Sequence, residues 1–210
     1  MKIYYGKAVY GREEIQASIN VLKKKSLSLI DGPSVKRLES MIARTFGKKF
    51  GLMVNSGSSA NLLALASLKL KKGSEVITPT LTFSTTVAPI YQLGLIPHFI
   101  DVGTNNFVAK IEQIEKAINK KTKAIIIPNL LGNVPDWNKI HKISKKYRLK
   151  VIEDSADTIG YKLDGKNFGK CSDISTNSMY ASHIITGAGF GGMVCFNDKK
   201  LYDQAKLLRG

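Results

Sequence analysis

The chain has 210 residues, 43% of them hydrophobic, enough to bury a sizeable core within one large domain. Its formal charge of +16 comes mostly from lysines on helical stretches such as LKKKS and KISKKYRLK, and it carries no zinc-finger spacing, RNP-like aromatic motif or helix-turn-helix, so no nucleic-acid partner is expected. No apolar run approaches the ~20 residues that span a bilayer, the N-terminal stretch lacks a signal-type apolar region, and Cys171 and Cys195 are too few for a disulfide framework or a four-cysteine cluster. A cytoplasmic protein with no membrane span and no metal-binding residues of its own is expected.

Helical spacing of apolar residues marks two leading helices, over 13–25 and 34–46, the second with Pro33 and Ser34 as start signals. Short β-rich runs then alternate with helical ones. FGLMV (50–54) precedes a helix over 59–70; EVITP (75–79) precedes one over 84–94; IPHFIDV (96–102) precedes one over 109–118; KAIIIP (123–128) precedes one over 136–147; KVIED (150–154) follows. This alternation predicts an α/β domain, a mainly parallel sheet with crossover helices on both faces. Two more strands are expected in DISTNSMY and GGMVCFND, then a last helix over 200–210. The chain stops in or just after that helix without a closing strand, which implies a missing C-terminal portion.

Ligands of an open α/β sheet sit beyond the C-terminal ends of its strands, so the polar residues there are the candidates. In VNSGSSANLLAL, a Ser/Gly-rich turn between strand and helix offers free amides, the positive helix end and hydroxyls, either as a phosphate cradle or as a plain serine N-cap. In VIEDSADTIG, Glu153 and Asp154 end an apolar strand and Asp157 follows; such a carboxylate can hold a protonated ring nitrogen or serve as a loop acid. Phe83, in TPTLTFSTTVAP, can stack on a flat ring or pack in the core. His98 and His141 fit core or surface roles, since no second ligand stands at zinc-like spacing.

In this order and spacing, NSGSSANLLAL, TPTLTFSTT, IIIPNLLGNVPD, VIEDSADTIG and SMYASHIITGAGFGGMV resemble the large domain of the DegT/DnrJ/StrS family, fold-type-I pyridoxal-phosphate enzymes acting on nucleotide-linked keto-sugars. The resemblance covers essentially the whole chain. It implies one unit over 1–210, leading helices plus the cofactor-binding large domain with its seven-stranded type of sheet, the small C-terminal domain being absent. It also implies pyridoxal or pyridoxamine 5'-phosphate as cofactor, a homodimer, and glutamate or a reductase as source of amino group or electrons. By the same resemblance Gly57, Ser58, Ser59 and Ser178 bind the cofactor phosphate, Phe83 stacks on the ring, and Asp154 pairs with the pyridinium nitrogen and keeps the ring an electron sink. Asp157 stands where sugar aminotransferases often have a glutamine near the phenolic oxygen.

Five residues after the phosphate-binding serine, most members of the family have the lysine that bonds the cofactor. Here that position is His183. Imidazole forms no stable imine, and the same replacement marks the branch of nucleotide-sugar 3-dehydratases, in which the histidine acts as the base while the 3-hydroxyl of a 4-keto-6-deoxy sugar is lost. The resemblance therefore implies such a dehydratase; the alternatives are a sugar aminotransferase or a non-catalytic remnant. Ala181 stands where a proline is usual, and TGAGFGG is one residue longer than the family's T-x-G-E-G-G and lacks its glutamate, which implies a differently shaped loop beside His183.

Overall fold

The computed structural model describes residues 8–24, 29, 31–163 and 165–210. Among these, nine strands form, β1 (Phe50–Val54), β2 (Glu75–Pro79), β3 (Ile96–Ile100), β4 (Thr122–Pro128), β5 (Lys150–Asp154), β6 (Lys162–Leu163), β7 (Lys166–Asn167), β8 (Ile174–Ser178) and β9 (Gly192–Phe196). The helices are α1 (Arg12–Lys23), α2 (Pro33–Thr45), α3 (Gly57–Ser67), α4 (Ser84–Gln92), α5 (Ile111–Ala117), α6 (Trp137–Tyr147) and α7 (Lys199–Arg209). Seven strands make one sheet in the order β1-β9-β8-β5-β4-β2-β3; β6 and β7 pair separately as a small hairpin that the sequence pattern did not reveal.

The expected parallel sheet holds with one exception. Strand β9 runs antiparallel to both β1 and β8. A parallel return needs a crossover, usually a helix, and the loop between β8 and β9 contains none, so the chain turns straight back. The six other strands share one direction, which brings the C-terminal ends of β1, β2, β5 and β8 to one edge together with the start of β9.

Alternation along the strands sends side chains to two cores. Ala124, Ile126, Ile152, Ile174 and Val194 pack with α3, α4 and α7, while Ile125, Ile127 and Val151 pack with α5 and α6 around Trp137 and Ile140. A third cluster seats Ile42 and Ala43 of α2, and Phe46 that caps it, on Met193 and Cys195 of β9. Both sheet faces are thus covered over β4 and β5, which accounts for their apolar runs. Strand β3 lies at the edge, and its His98 contacts Glu75 of β2 at 3.1 Å instead of entering the core. His141 on α6 sits 3.1 Å from the Cys171 carbonyl oxygen. Helix α1 buries none of its residues, although Glu14 caps it by accepting from the Gly11 amide.

Strand β5 ends in two adjacent carboxylates that face opposite cores. Glu153 is fully buried and is met by the hydroxyls of Ser155 (2.5 Å), Ser175 (3.0 Å) and Ser172 (3.2 Å). Lys48, also buried, donates to the carbonyl (2.5 Å) and hydroxyl oxygen (3.0 Å) of the same Ser172. Burial pushes the Lys48 ammonium down to about 8, opposed by the Glu153 charge, and pushes the Glu153 carboxyl up, opposed by the Ser155 hydroxyl and by Lys48. Removing Lys48 leaves the buried Glu153 charge with hydroxyl donors alone and no cation nearby among the described residues. Lys48→Met should therefore lower unfolding free energy, by up to about 3–5 kcal/mol, and adding Glu153→Gln should restore part of it, both read from urea midpoints; a double variant whose loss equals the sum of the two single losses would show that the two groups are not coupled.

Candidate active site

The turn from β1 into α3 is the first wall of the site. Ser56 is extended and caps α3, its hydroxyl oxygen accepting from the Ser59 amide at 3.1 Å and lying 3.1 Å from the Ser59 hydroxyl. Because of this cap the helix opens at Gly57, two residues before the expected start near Ser59. The serine N-cap is realised, and the turn keeps the groups that a cradle needs. The Ser59 amide is taken up by Ser56, while the Ser59 hydroxyl oxygen accepts from Ser56 and keeps its own O–H to donate; the first-turn amides of Gly57 and Ser58 have no intrahelical acceptor and sit at the positive end of the helix. Ser178, at the buried end of β8, closes against this turn: a Cβ added to Gly57 would stand 2.6 Å from the Ser178 Cβ. On the other side, a Cβ on Gly192 would stand 2.1 Å from the Ser56 carbonyl oxygen, so β9 can pass the turn only without a side chain there.

Asp154 forms the floor. Its Oδ2 accepts from Asn61 Nδ2 on α3 and Thr86 Oγ1 on α4, both at 2.8 Å, and its Oδ1 accepts from the Ala156 amide at 3.2 Å. Asn61 is itself held by Thr176 of β8, whose hydroxyl donates to Asn61 Oδ1 at 2.7 Å. Burial pushes the Asp154 carboxyl up, and the Thr86 and Asn61 donors hold it down. A buried acid with these fixed donors, and with no cation paired to it among the described residues, is suited to receiving a cationic N–H. Sequence reasoning missed Asn61, Thr86 and Thr176; the available signal was a lone asparagine inside the apolar run ANLLALA.

His183 and Asp157 form the rim. His183 lies in the loop after β8, its amide donating to the Tyr180 carbonyl at 2.9 Å and its ring edge-on to Tyr180 at 5.9 Å between centroids. Its Nε2 is 3.8 Å from Asp157 Oδ1. Phe83, the residue before α4, is 69% exposed, which rules out the core role and leaves its ring open at the strand ends. Thr86, which reaches Asp154, donates its amide to the Phe83 carbonyl at 3.0 Å, so the two are fixed together. In the loop beyond His183, Ala188 and Gly189 adopt left-handed backbone and the Ala181 amide donates to the Gly189 carbonyl at 3.2 Å.

Residues 9–210 match the DegT/DnrJ/EryC1/StrS aminotransferase family. The chain belongs to this family. It is 36% identical over 208 residues to GDP-4-keto-6-deoxy-D-mannose 3-dehydratase of Yersinia pseudotuberculosis, covering 96% of this chain and 52% of that one. It is 37% identical over 179 residues to GDP-perosamine synthase of Escherichia coli O157:H7, covering 85% and 49%. Among solved structures, the E. coli GDP-4-keto-6-deoxy-D-mannose-3-dehydratase with bound hydrated PLP superposes with a TM-score of 0.86 at 33% identity, over 96% of this chain and 53% of that one. The chain spans about half the length of the curated relatives it matches, and its fold is that of these PLP-dependent neighbours.

A phosphorylated pyridine fits the side chains of this family member. The approach of Ser178 to a side-chain-free Gly57 shapes a cradle for a small anion, and the Thr82 hydroxyl and His183 Nδ1 are buried without hydrogen-bond partners among the described residues. Among the same residues no group of three or more His, Cys, Asp or Glu could hold a metal ion. The donors to Asp154 carry a direct test. Asn61→Leu with Thr86→Val strips both from Oδ2, each such bond to a charged group being worth about 1.5–3 kcal/mol, so the Asp154 carboxyl should titrate at least about one pH unit higher, as carboxyl NMR would show. A raised carboxyl favours the fold only while protonated, so the variant should lose stability relative to the parent as pH rises through that range. An unmoved titration would remove Asn61 and Thr86 from the site.

Proposed function

We propose that the chain is the cofactor-binding part of a cytoplasmic pyridoxal/pyridoxamine 5'-phosphate enzyme of nucleotide-sugar biosynthesis, one that removes the 3-hydroxyl of a nucleotide-linked 4-keto-6-deoxyhexose. The observation that carries this reading is His183, standing where the family's bonding lysine belongs and at the rim of the site. The similarity to the two GDP-linked relatives, a 3-dehydratase and a perosamine synthase, supports the substrate class.

When bound, the cofactor supplies an electron sink that makes the hydrogen on its own methylene carbon acidic and weakens the bond to the sugar's 3-hydroxyl. The residues do the rest. Gly57, Ser58, Ser59 and Ser178 would anchor the phosphate, the Ser56 cap holding the turn in place. Asp154, fixed by Asn61 and Thr86, would keep the ring nitrogen protonated, and Phe83 would cover one face of the ring. His183 would take the methylene proton and return it to the departing hydroxyl. Glutamate or a reductase would restore the cofactor. A homodimer accords with the apolar side chains left exposed on and beside α1, Val9, Tyr10, Ile15 and Leu22.

Two experiments test this reading. Loss of a positioned base costs about 100- to 10,000-fold in rate, so His183→Asn should retain cofactor affinity and lose dehydration of GDP-4-keto-6-deoxymannose by that factor; full turnover would end the dehydratase reading. Borohydride treatment of the protein loaded with pyridoxal 5'-phosphate should leave no cofactor attached within residues 178–192, while His183→Lys should become labelled there and form an amino-sugar. A labelled lysine in the parent protein would favour the aminotransferase reading.

A further inference from the structure

We infer that Asp157 is a positioning residue for His183, holding the imidazole with one N–H towards its carboxylate so that the opposite nitrogen keeps a lone pair for the proton. The inference rests on the dehydratase reading above. It gives Asp157 a partner in the protein, in place of the contact with the cofactor's phenolic oxygen that its position implies.

Both oxygens of the carboxylate are accounted for. Oδ2 accepts from the Leu131 amide at 3.0 Å, and Oδ1 faces His183 Nε2 at 3.8 Å, within ion-pair reach and longer than a closed hydrogen bond. Leu131 presents its amide from a left-handed conformation (φ 55°, ψ 27°), which a branched side chain rarely adopts. The loop after β4 is thus bent in the direction that anchors Asp157, and strain of this kind collects at functional sites. The same loop is tied to β5 by the Asn129 amide, which donates to the Asp154 carbonyl at 2.9 Å, and by the Thr158 hydroxyl, which donates to the Asn129 carbonyl at 3.2 Å. Asp157 therefore sits on a braced segment.

The imidazole is braced from its own side by the His183 amide bond to Tyr180 and by the Tyr180 ring, which in turn packs on Phe190 at 5.6 Å. Its Nδ1 is buried and makes no hydrogen bond among the described residues. A neutral imidazole has one N–H and one lone pair, and a carboxylate beside Nε2 selects the form with the N–H there. The lone pair then stays on Nδ1. When that nitrogen takes a proton, the same carboxylate faces the new positive charge. The 3.8 Å separation is of the kind that catalytic contacts often show before a site is filled. A histidine in place of lysine and an aspartate in place of glutamine are, on this reading, one paired change.

The test compares the full chain with Asp157→Asn, both loaded with pyridoxamine 5'-phosphate and labelled with nitrogen-15 in histidine. The parent should show the His183 signals of the Nε2–H form, and Asp157→Asn should show a mixture of both forms. Turnover of GDP-4-keto-6-deoxymannose should fall about 100-fold with KM and cofactor affinity unchanged within about twofold, and Asp157→Glu should recover part of the rate. Identical nitrogen spectra in parent and Asp157→Asn would overturn the inference, as would a loss of cofactor affinity, which would make Asp157 a cofactor ligand instead. A parent that dehydrates no 4-keto-6-deoxy sugar would end the dehydratase reading alone, because the nitrogen spectra decide the Asp157–His183 pairing without substrate.

Discussion

Two carboxylates stand side by side at the buried end of β5, and the surroundings of that strand are arranged to make them tolerable. Neighbouring residues on a strand point to opposite faces, so Glu153 and Asp154 cannot share partners. Glu153 is met by three serine hydroxyls and, through Ser172, by Lys48. Asp154 is met by the side chains of Asn61 and Thr86, without a cation among the described residues. The first carboxylate is complete within the protein and fixes the strand; the second is left short of one positive partner. That asymmetry leaves Asp154 as the floor of the candidate site.

The polar composition of β8 follows from the same constraint. Ile-Ser-Thr-Asn-Ser is buried throughout, yet every polar side chain in it meets a neighbouring element. Ser175 reaches Glu153, Thr176 holds Asn61, Asn177 donates to the Ser155 carbonyl at 2.7 Å, and Ser178 borders the α3 turn. A strand with so little apolar surface is stable in the middle of a sheet only because its side chains satisfy the groups beside it. The antiparallel return through β9 completes the arrangement, since Gly192 lets the backbone pass against Ser56 where any side chain would collide.

Much of this was legible in the residues themselves. The alternation of apolar runs with helical periodicity gave the order of the layers, because burial on both faces demands strands such as KAIIIP and crossovers demand amphipathic helices. Asp154 and the Gly57 turn could be placed at strand ends from sequence alone, since chain order fixes which residues follow a strand. The two-residue strands β6 and β7 were not legible, being too short to carry a period, nor was the direction of β9, which depends on a connection without a helix.

By itself, then, the sequence determined the α/β class and the chemistry available at the strand ends, both properties of local pattern and residue identity, and through its family resemblance it set His183 at the position of a lysine. Only the tertiary structure decided which groups meet. Asn61 reaches Asp154 across 93 positions of chain, Lys48 reaches Ser172 across 124, and Asp157 is anchored by Leu131 from another strand's loop. Such contacts leave no periodic trace, because they are set by the order in which strands are laid into the sheet and by the close approach of backbones, and neither is written in any one segment.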